Sequence, residues 1–565
     1  MNKFNGAELL DAYLDTSFHV AELPLQVRLG RMAMNWGESV FIKGVNDNAR
    51  LDISALRKPG TELKEALLPT YAMSFNLGLP AGMSLDGFYQ FKHDPNNIDE
   101  CGTFWAPTNT SFSTNANECP ASEIAGGNRF GYNAGIAFNG TGAPKSKENI
   151  DGGEFGLAFR FPVESLDAEV GLYAMNTHAK APVLSLRMGG DLRNQFMNTA
   201  LTAVPGTPTL SQFVTNAVSA AAAAGIASNV FMTPVNGNAA ALGALFAAGA
   251  PLNGLATAFP AARTQLLGIA AGVTPSTGYW HYAEDIQTYG ISFATTLAGW
   301  SVAAELSHQH DVPVMFNGND LIQGILNGMG PLASGQLGVG NAQNGLPVFT
   351  TSASTNIANQ TPLPAGSTVE GFKRVNKTQF QFNGLVTVPS NFLGFLGNSN
   401  GLFVAEAGFQ WADLPKGYRF GRGFVMGTAA GANYNTAGAV TAGSGTSFQC
   451  ANIGVVARVG PDGCKDEGFA TDFSWGYRMR ASLNYPQVFG TSWEATPSLF
   501  IGHDVEGYSI DGQFNEGRLS VGYGLEFNLN KEHKINLNYN WFSDSADYDV
   551  FRDHDNYSVS YSYTF

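Results

Sequence analysis

The last nine residues constrain the fold of this chain more than any other segment. Tyr557, Val559, Tyr561, Tyr563 and Phe565 alternate with Ser558, Ser560, Ser562 and Thr564. Period-two alternation puts the apolar residues on one face of a strand and the small polar residues on the other. In a soluble protein, an edge strand with a bare aromatic face invites aggregation. In a closed barrel set in lipid, apolar-out and polar-in is what the surroundings require. An ordinary sandwich strand is the plainer reading of this segment alone.

The alternation recurs in hairpins, and the recurrence selects the barrel. Leu519, Val521, Tyr523, Leu525, Phe527 and Leu529 alternate with polar or small residues, turn at Asn530 to His533, and are answered by Ile535, Leu537, Tyr539 and Trp541. Phe473 to Tyr485 repeats the scheme with Arg478 and Arg480 on the polar face. That arginine pair is costly toward lipid and natural in a wet lumen. Similar hairpins start at Leu10, Tyr71, Phe155, Tyr289 and Phe380. The count reaches about fifteen strands, more long strands with aromatic outer faces than a sandwich carries. The expected fold is all-β, an antiparallel transmembrane β-barrel of about 16 strands in a single domain.

Connection lengths alternate as well. Short turns are expected near residues 21, 80, 163, 298, 395, 488 and 531, with long connections between them. Barrels of this kind have short periplasmic turns and long extracellular loops. With that polarity the strand near Leu10 starts on the outer side, whereas single-chain barrels have an even strand count with both termini in the periplasm. At least one further strand and a signal peptide are therefore expected upstream of Met1. The terminal strand should pair with Ile535 to Trp541 on one edge. Its other edge should pair with the upstream strand or, failing that, with the segment near Leu10.

Composition agrees. Hydrophobic residues make up 44% of the chain, yet no apolar run has the length of a membrane helix. The longest candidate, Ala239 to Leu252, is too short and contains Pro251. Charged residues are only 14%, low for a soluble domain, and a net charge of -15 argues against nucleic acid. Four cysteines fall in two close pairs, Cys101 with Cys119 and Cys450 with Cys464. Two local disulfides suit an oxidising compartment; zinc is disfavoured because neither pair has the spacing of a zinc knuckle.

The long connections differ in character. Residues 36–68 form a charged segment between two strands, best placed as an inward or plug-like fold. Its alternative is an extracellular loop braced by its own ion pairs. Residues 93–152 and 412–470 are the disulfide loops. Residues 178–283 include an Ala-rich stretch broken by prolines into short helices. Such apolar helices must form a packed cap, a hydrophobic gate or a capture surface. A smaller set lies at Leu321 to Leu332.

One stretch resembles a known family. Leu23-Pro24-Leu25-Gln26-Val27-Arg28-Leu29-Gly30-Arg31 leads to Asn35-Trp36-Gly37-Glu38-Ser39, then Leu56-Arg57-Lys58-Pro59-Gly60-Thr61-Glu62-Leu63, Gly87-Phe88-Tyr89-Gln90 and Cys101-Gly102-Thr103-Phe104-Trp105. This resembles a Gram-negative outer-membrane barrel family of unknown function (domain of unknown function thirteen hundred and two). The match is specific over residues 8–120 and pattern-level beyond. The resemblance implies outer-membrane location and traffic of hydrophobic compounds or lipids. It also implies partnership with a periplasmic lipoprotein-carrier-like protein and an inner-membrane exporter. Members carry a signal peptide and further chain before the Leu10 region. Tyr557, Val559, Tyr561, Tyr563 and Phe565 also resemble the C-terminal signal that the barrel-insertion machinery reads.

The candidate lumen or constriction residues follow from the polar faces and the charged segment. They are Arg28, Arg160, Glu305, Glu406, Arg478, Arg480, Arg518 and Glu526 on strand faces, with Arg31, Glu38, Arg57, Glu62, Lys64 and Glu65 in the segment. Many could simply pair with one another. Nucleophile-elbow, zinc-protease and phosphate-loop patterns are absent, so no enzyme, cofactor or metal is expected. The function expected is transport or docking of a hydrophobic ligand beside outer-membrane lipid. The alternatives are a diffusion porin for small polar solutes and a non-transporting structural or assembly partner.

Overall fold

The computed structural model describes residues 9–53, 66–97, 99, 104–105, 136–138, 151–187, 276–317, 368–392, 397, 399–416, 418–423, 426 and 467–564. Fifteen strands form one large sheet. They are β1 (Ala12–Val20), β2 (Leu23–Met32), β3 (Thr70–Gly78), β4 (Ser84–Lys92), β6 (Asp151–Val163), β7 (Ala168–Thr177), β10 (Ile286–Leu297) and β11 (Trp300–Met315), followed by β13 (Phe372–Val388), β14 (Asn400–Ala412), β15 (Phe473–Asn484), β16 (Trp493–Glu506), β17 (Leu519–Leu529), β18 (His533–Phe542) and β19 (Asn556–Tyr563). Each pairs antiparallel with the next in that order, an uninterrupted meander. Four short strands, β5 (Ile136–Phe138), β8 (Val183–Arg187), β9 (Ser276–His281) and β12 (Thr368–Val369), make a second small sheet from the long connections.

Register follows the sequence alternation. On β18 and β19 the pairs Tyr539↔Tyr557, Leu537↔Val559 and Ile535↔Tyr561 share one face, and Asn538↔Ser558 and Asn536↔Ser560 share the other. Val559 is 69% exposed, so the apolar side of this sheet has no protein against it. Aromatic contacts run along the same outward face: Tyr523 stacks on Tyr539 with centroids 6.3 Å apart, and Phe409 on Trp475 at 5.5 Å. Such cross-strand pairs stabilise a sheet by about 0.2–1 kcal/mol each. The inward face holds the buried polar groups, among them Gln379, Gln381, Glu305 and Glu406. This inversion of the usual burial pattern excludes a soluble sandwich.

The short turns all lie at one end. Ala21-Glu22 and Ala298-Gly299 close hairpins with positive φ at both residues, the turn whose twist matches paired strands. The connections at the other end are long except for 507–518 and 543–555, which are of moderate length. This is the alternation expected. The large sheet also has the fifteen strands counted from the sequence. The terminal strand pairs with β18 as expected, and β19 does not pair with β1 among the described residues. The strand expected upstream of Met1, and Phe565, lie outside the described residues. So do all four cysteines, the Ala-rich helical pieces of residues 196–274 and those of Leu321 to Leu332. Residues 183–187 and 276–281, placed in the Ala-rich connection, are strands that pair with each other.

Candidate functional site

Residues 33–53, the first described part of the connection that follows β2, run inside the curve of the large sheet as a strap. Trp36 lies edge-on to Phe88 at 4.9 Å and near Tyr173 at 6.2 Å. Val45 is fully buried against Phe88, Ala158, Tyr173 and Met175. Phe41 meets Phe500 edge-on at 5.8 Å. One short strap therefore touches β4, β6, β7 and β16, strands far apart in the sheet order, and the sheet must roll around it.

Two wall carboxylates grip the strap. Glu305 on β11 accepts from the backbone N–H of Glu38 at 2.8 Å and of Val45 at 2.5 Å. Glu406 on β14 accepts from Val40 at 2.9 Å, Phe41 at 2.5 Å and Ile42 at 2.7 Å. Both side chains are 2% exposed. Burying a carboxylate costs several kcal/mol, and only well-placed donors offset it. Backbone N–H groups converging on an anion are the protein's usual means. Gly37 and Gly44 make the approach possible. A Cβ on either would collide with a Glu305 carboxylate oxygen, and Gly37 has φ +93°. The neighbouring wall completes the grip: Asn383 donates to the Glu38 carbonyl at 2.6 Å, and the Gln379 amide donates to the Lys43 carbonyl.

A second anchor ties the strap to the connection between β16 and β17. Lys377, 2% exposed, lies 3.2 Å from Asp47 of the strap and 3.1 Å from Asp511 of that connection. Burial opposes ionisation of both acids. The Lys377 ammonium outweighs it, helped by Lys43 at Asp47 and by Gln513 at Asp511, and both carboxyls are held below their ordinary range. The Gln513 side chain also accepts from the Lys43 N–H at 2.6 Å. Glu38 differs. Burial pushes its carboxyl up, Glu169 adds to the rise and Arg160 only partly offsets it.

A third cluster sits near the ends of β4, β6 and β7. Glu154, fully buried, accepts from Lys180 Nζ at 2.9 Å and lies 2.9 Å from His93 Nδ1. Burial lowers the His93 pKa, Lys180 adds to that, and the hydrogen bond to Glu154 does not reverse it. The chain from His93 onward also holds the strap's far end: Arg50 donates to the Pro95 carbonyl at 2.9 Å, and Leu51 N–H to Asn96 at 2.7 Å.

Five of the expected lumen residues pair with an opposite charge. Arg28 meets Asp15 at 2.9 Å, Arg160 meets Asp86 at 2.5 Å, and Glu526 meets Lys534 at 3.6 Å. Arg478 meets Asp504 at 2.6 Å, and Arg518 meets Asp549 at 2.6 Å. Arg480 faces inward with no ion pair among the described residues. Arg31 is a correction. It pairs with Ala12 and Tyr71, on the outward face of Leu29 and Met73, and its guanidinium lies over the Tyr71 ring at 5.4 Å. Strand β2 continues through Gly30 to Met32, so Arg31 keeps the parity of Leu29 and is not a lumen residue. Arg57, Glu62, Lys64 and Glu65 lie outside the described residues. Sequence reasoning missed Lys377, Gln379, Gln381 and Asn383. Their signal was a polar residue at every second position of β13.

Comparison with the curated proteins finds no match. Among solved structures, the chain is similar to Pseudomonas aeruginosa OpdK with vanillate, at 8% identity over 97% of this chain and 77% of that one, with a TM-score of 0.30. A second structure, of the outer membrane protein OpdK from the same organism, shows 8% identity over 99% and 84%, with a TM-score of 0.29. The family described as "Protein of unknown function (DUF1302)" matches residues 1–565, and the chain belongs to it.

Proposed function

We propose that the chain is a bacterial outer-membrane barrel that passes small molecules through a lumen narrowed by the strap. The observation that carries this reading is the inverted sheet: apolar and aromatic residues outward and exposed, charged and amide groups inward around the strap. A lipid layer accounts for the first and an aqueous passage for the second. The strap fills part of the inside, so the conductance is below that of an empty barrel of the same strand number. No chemical reaction is assigned to it.

The test is planar-bilayer recording on the purified protein. A steady ohmic conductance supports the passage. No conductance, with lipid copurifying from native membranes, would replace it with the second reading, in which the barrel docks or moves a hydrophobic ligand with a periplasmic carrier. The strap's occupation of the lumen is the observation that favours that second reading.

A further inference from the structure

Strand β15 aims two arginines inward, and they are treated in opposite ways. Arg478 is consumed by the protein. It donates to Asp504 at 2.6 Å, to the Gln513 carbonyl at 3.1 Å and to the Tyr477 carbonyl at 2.9 Å. Arg480, two residues nearer the short turn, is exposed and among the described residues makes no hydrogen bond, ion pair or ring contact. The inward cations Arg28, Arg160, Lys377 and Lys534 each carry a carboxylate partner. A guanidinium left unneutralised in a protein of net charge -15 is available to an anion from outside.

The flanks of Arg480 are apolar. Its cross-strand partners are Val404 on β14 and Phe500 on β16. Phe500 in turn meets Phe41 of the strap at 5.8 Å. Residues directly opposite on one face have Cβ atoms about 4.5–5.5 Å apart. A fork of five donors therefore stands beside the part-exposed rings of Phe500 and Phe41, with Val404 buried on its other flank. The fork matches the two oxygens of a carboxylate. The rings match an apolar or aromatic body. Inorganic anions use only the first, and amines are repelled by it.

We infer that Arg480, Phe500 and Phe41 form a lumen subsite for small carboxylates with an aromatic or apolar body. This rests on the passage reading and names the class of solute that the passage prefers. An anion held by Arg480 lies against the strap, so a bound carboxylate obstructs the ions that pass there.

Benzoate, acetate and benzylamine are the probes. Benzoate should reduce the potassium chloride current in a concentration-dependent way, acetate far less and benzylamine not at all. In Arg480→Gln, benzoate block should weaken about tenfold, the loss of one charge-assisted pair. Cation over anion permeability should rise. Arg480→Lys should recover charge selectivity without the full benzoate affinity, because it lacks the fork. Lys531→Gln, in the turn after β17, should leave the block unchanged. Equal block by benzoate and acetate, or unchanged benzoate block in Arg480→Gln, overturns the subsite. Calorimetry of benzoate on detergent-solubilised protein separates the two ideas. Benzoate binding that depends on Arg480 in a protein without conductance removes the passage and keeps the subsite. Conductance without such binding does the reverse.

Discussion

The Glu305 carboxylate takes the backbone N–H of Val45 at 2.5 Å, across 260 residues of chain. The bond joins a wall strand to the strap it encloses, and both partners are buried. Its removal is the first prediction. Glu305→Gln and Glu406→Gln each exchange a charge-assisted acceptor for a neutral amide, and in one orientation aim N–H at N–H. Each should loosen the strap by about 1–3 kcal/mol, more for Glu406 with its three donors. Single-channel records should show higher conductance or added flicker. Wild-type records from both variants would mean that the carboxylates do not hold the strap.

Gly44→Ala tests the same grip from the other side. The added methyl would meet a Glu305 oxygen and the Gln381 amide, neither of which can retreat without losing its own bonds. Overpacking of this kind costs about 1–3 kcal/mol. Proteolysis within residues 37–47 should become faster. Protection equal to wild type would show that the strap has slack at Gly44.

Lys377 bridges Asp47 and Asp511, whereas Lys43 reaches Asp47 alone among the described residues. Lys377→Met should leave the part-exposed carboxylates of Asp47 and Asp511 facing each other with only Lys43 beside Asp47, a cost of about 1–3 kcal/mol. Lys377→Met with Asp511→Asn should recover part of it. A lower heat-dissociation temperature for the single variant, partly restored in the double, is the expected pattern. Additive losses would mean that the three groups do not act together.

Much of this fold was legible, and the reasons are specific. Period two in Leu519–Leu529 and Ile535–Trp541 fixes the faces of β17 and β18 because a slip of one residue would reverse every side chain. The charged segment was expected inside because it lies between two outward-aromatic strands, and its described residues 36–53 do lie against the inward face. The grip itself was not legible. It uses backbone N–H groups of Glu38, Val40, Phe41, Ile42 and Val45, which every residue but proline has. Arg31 was misplaced by assigning it to the segment after β2 rather than to the strand's own parity. Pairings such as Arg478 with Asp504 depend on a register interrupted by an irregularity near Trp475, which spacing does not reveal.

The titrations make opposed demands on the strap. Asp47 and Asp511 have carboxyls below their ordinary range, so their contribution is present above the unfolded value of about 3.9 and is lost as pH falls through the folded values. His93, also lowered, works in the same direction: docking weakens once pH falls below about 6.5 toward its folded value. Glu38 is raised, so its contribution is present below about 4.3 and is lost as pH rises through its folded value. Strap protection from protease should therefore fall in strong acid. Glu38→Gln should remove the loss on the alkaline side of Glu38 and leave the acid limb intact. An acid limb that vanishes in Glu38→Gln would show the assignment to be reversed.

Adjacent residues of β18 give the sharpest test of which face meets lipid. Leu537 points outward, opposite Leu525 and Val559, and Asn538 points inward, opposite Gly524 and Ser558. Their backbones have the same strand neighbours, so propensity and register cannot distinguish the two positions. Only the medium beyond the side chain differs. Leu537→Arg places a charge in hydrocarbon and should cost about 2–4 kcal/mol if the position lies near the bilayer midplane. Asn538→Arg faces water and small neighbours, so its cost should be slight. Folding into lipid vesicles, followed by the heat-dependent gel mobility of the folded barrel, reads the difference. Loss of folding for Leu537→Arg with normal folding for Asn538→Arg is expected. Equal behaviour of the two variants would mean that the outward aromatic face is not a lipid face, and the passage reading would lose its foundation.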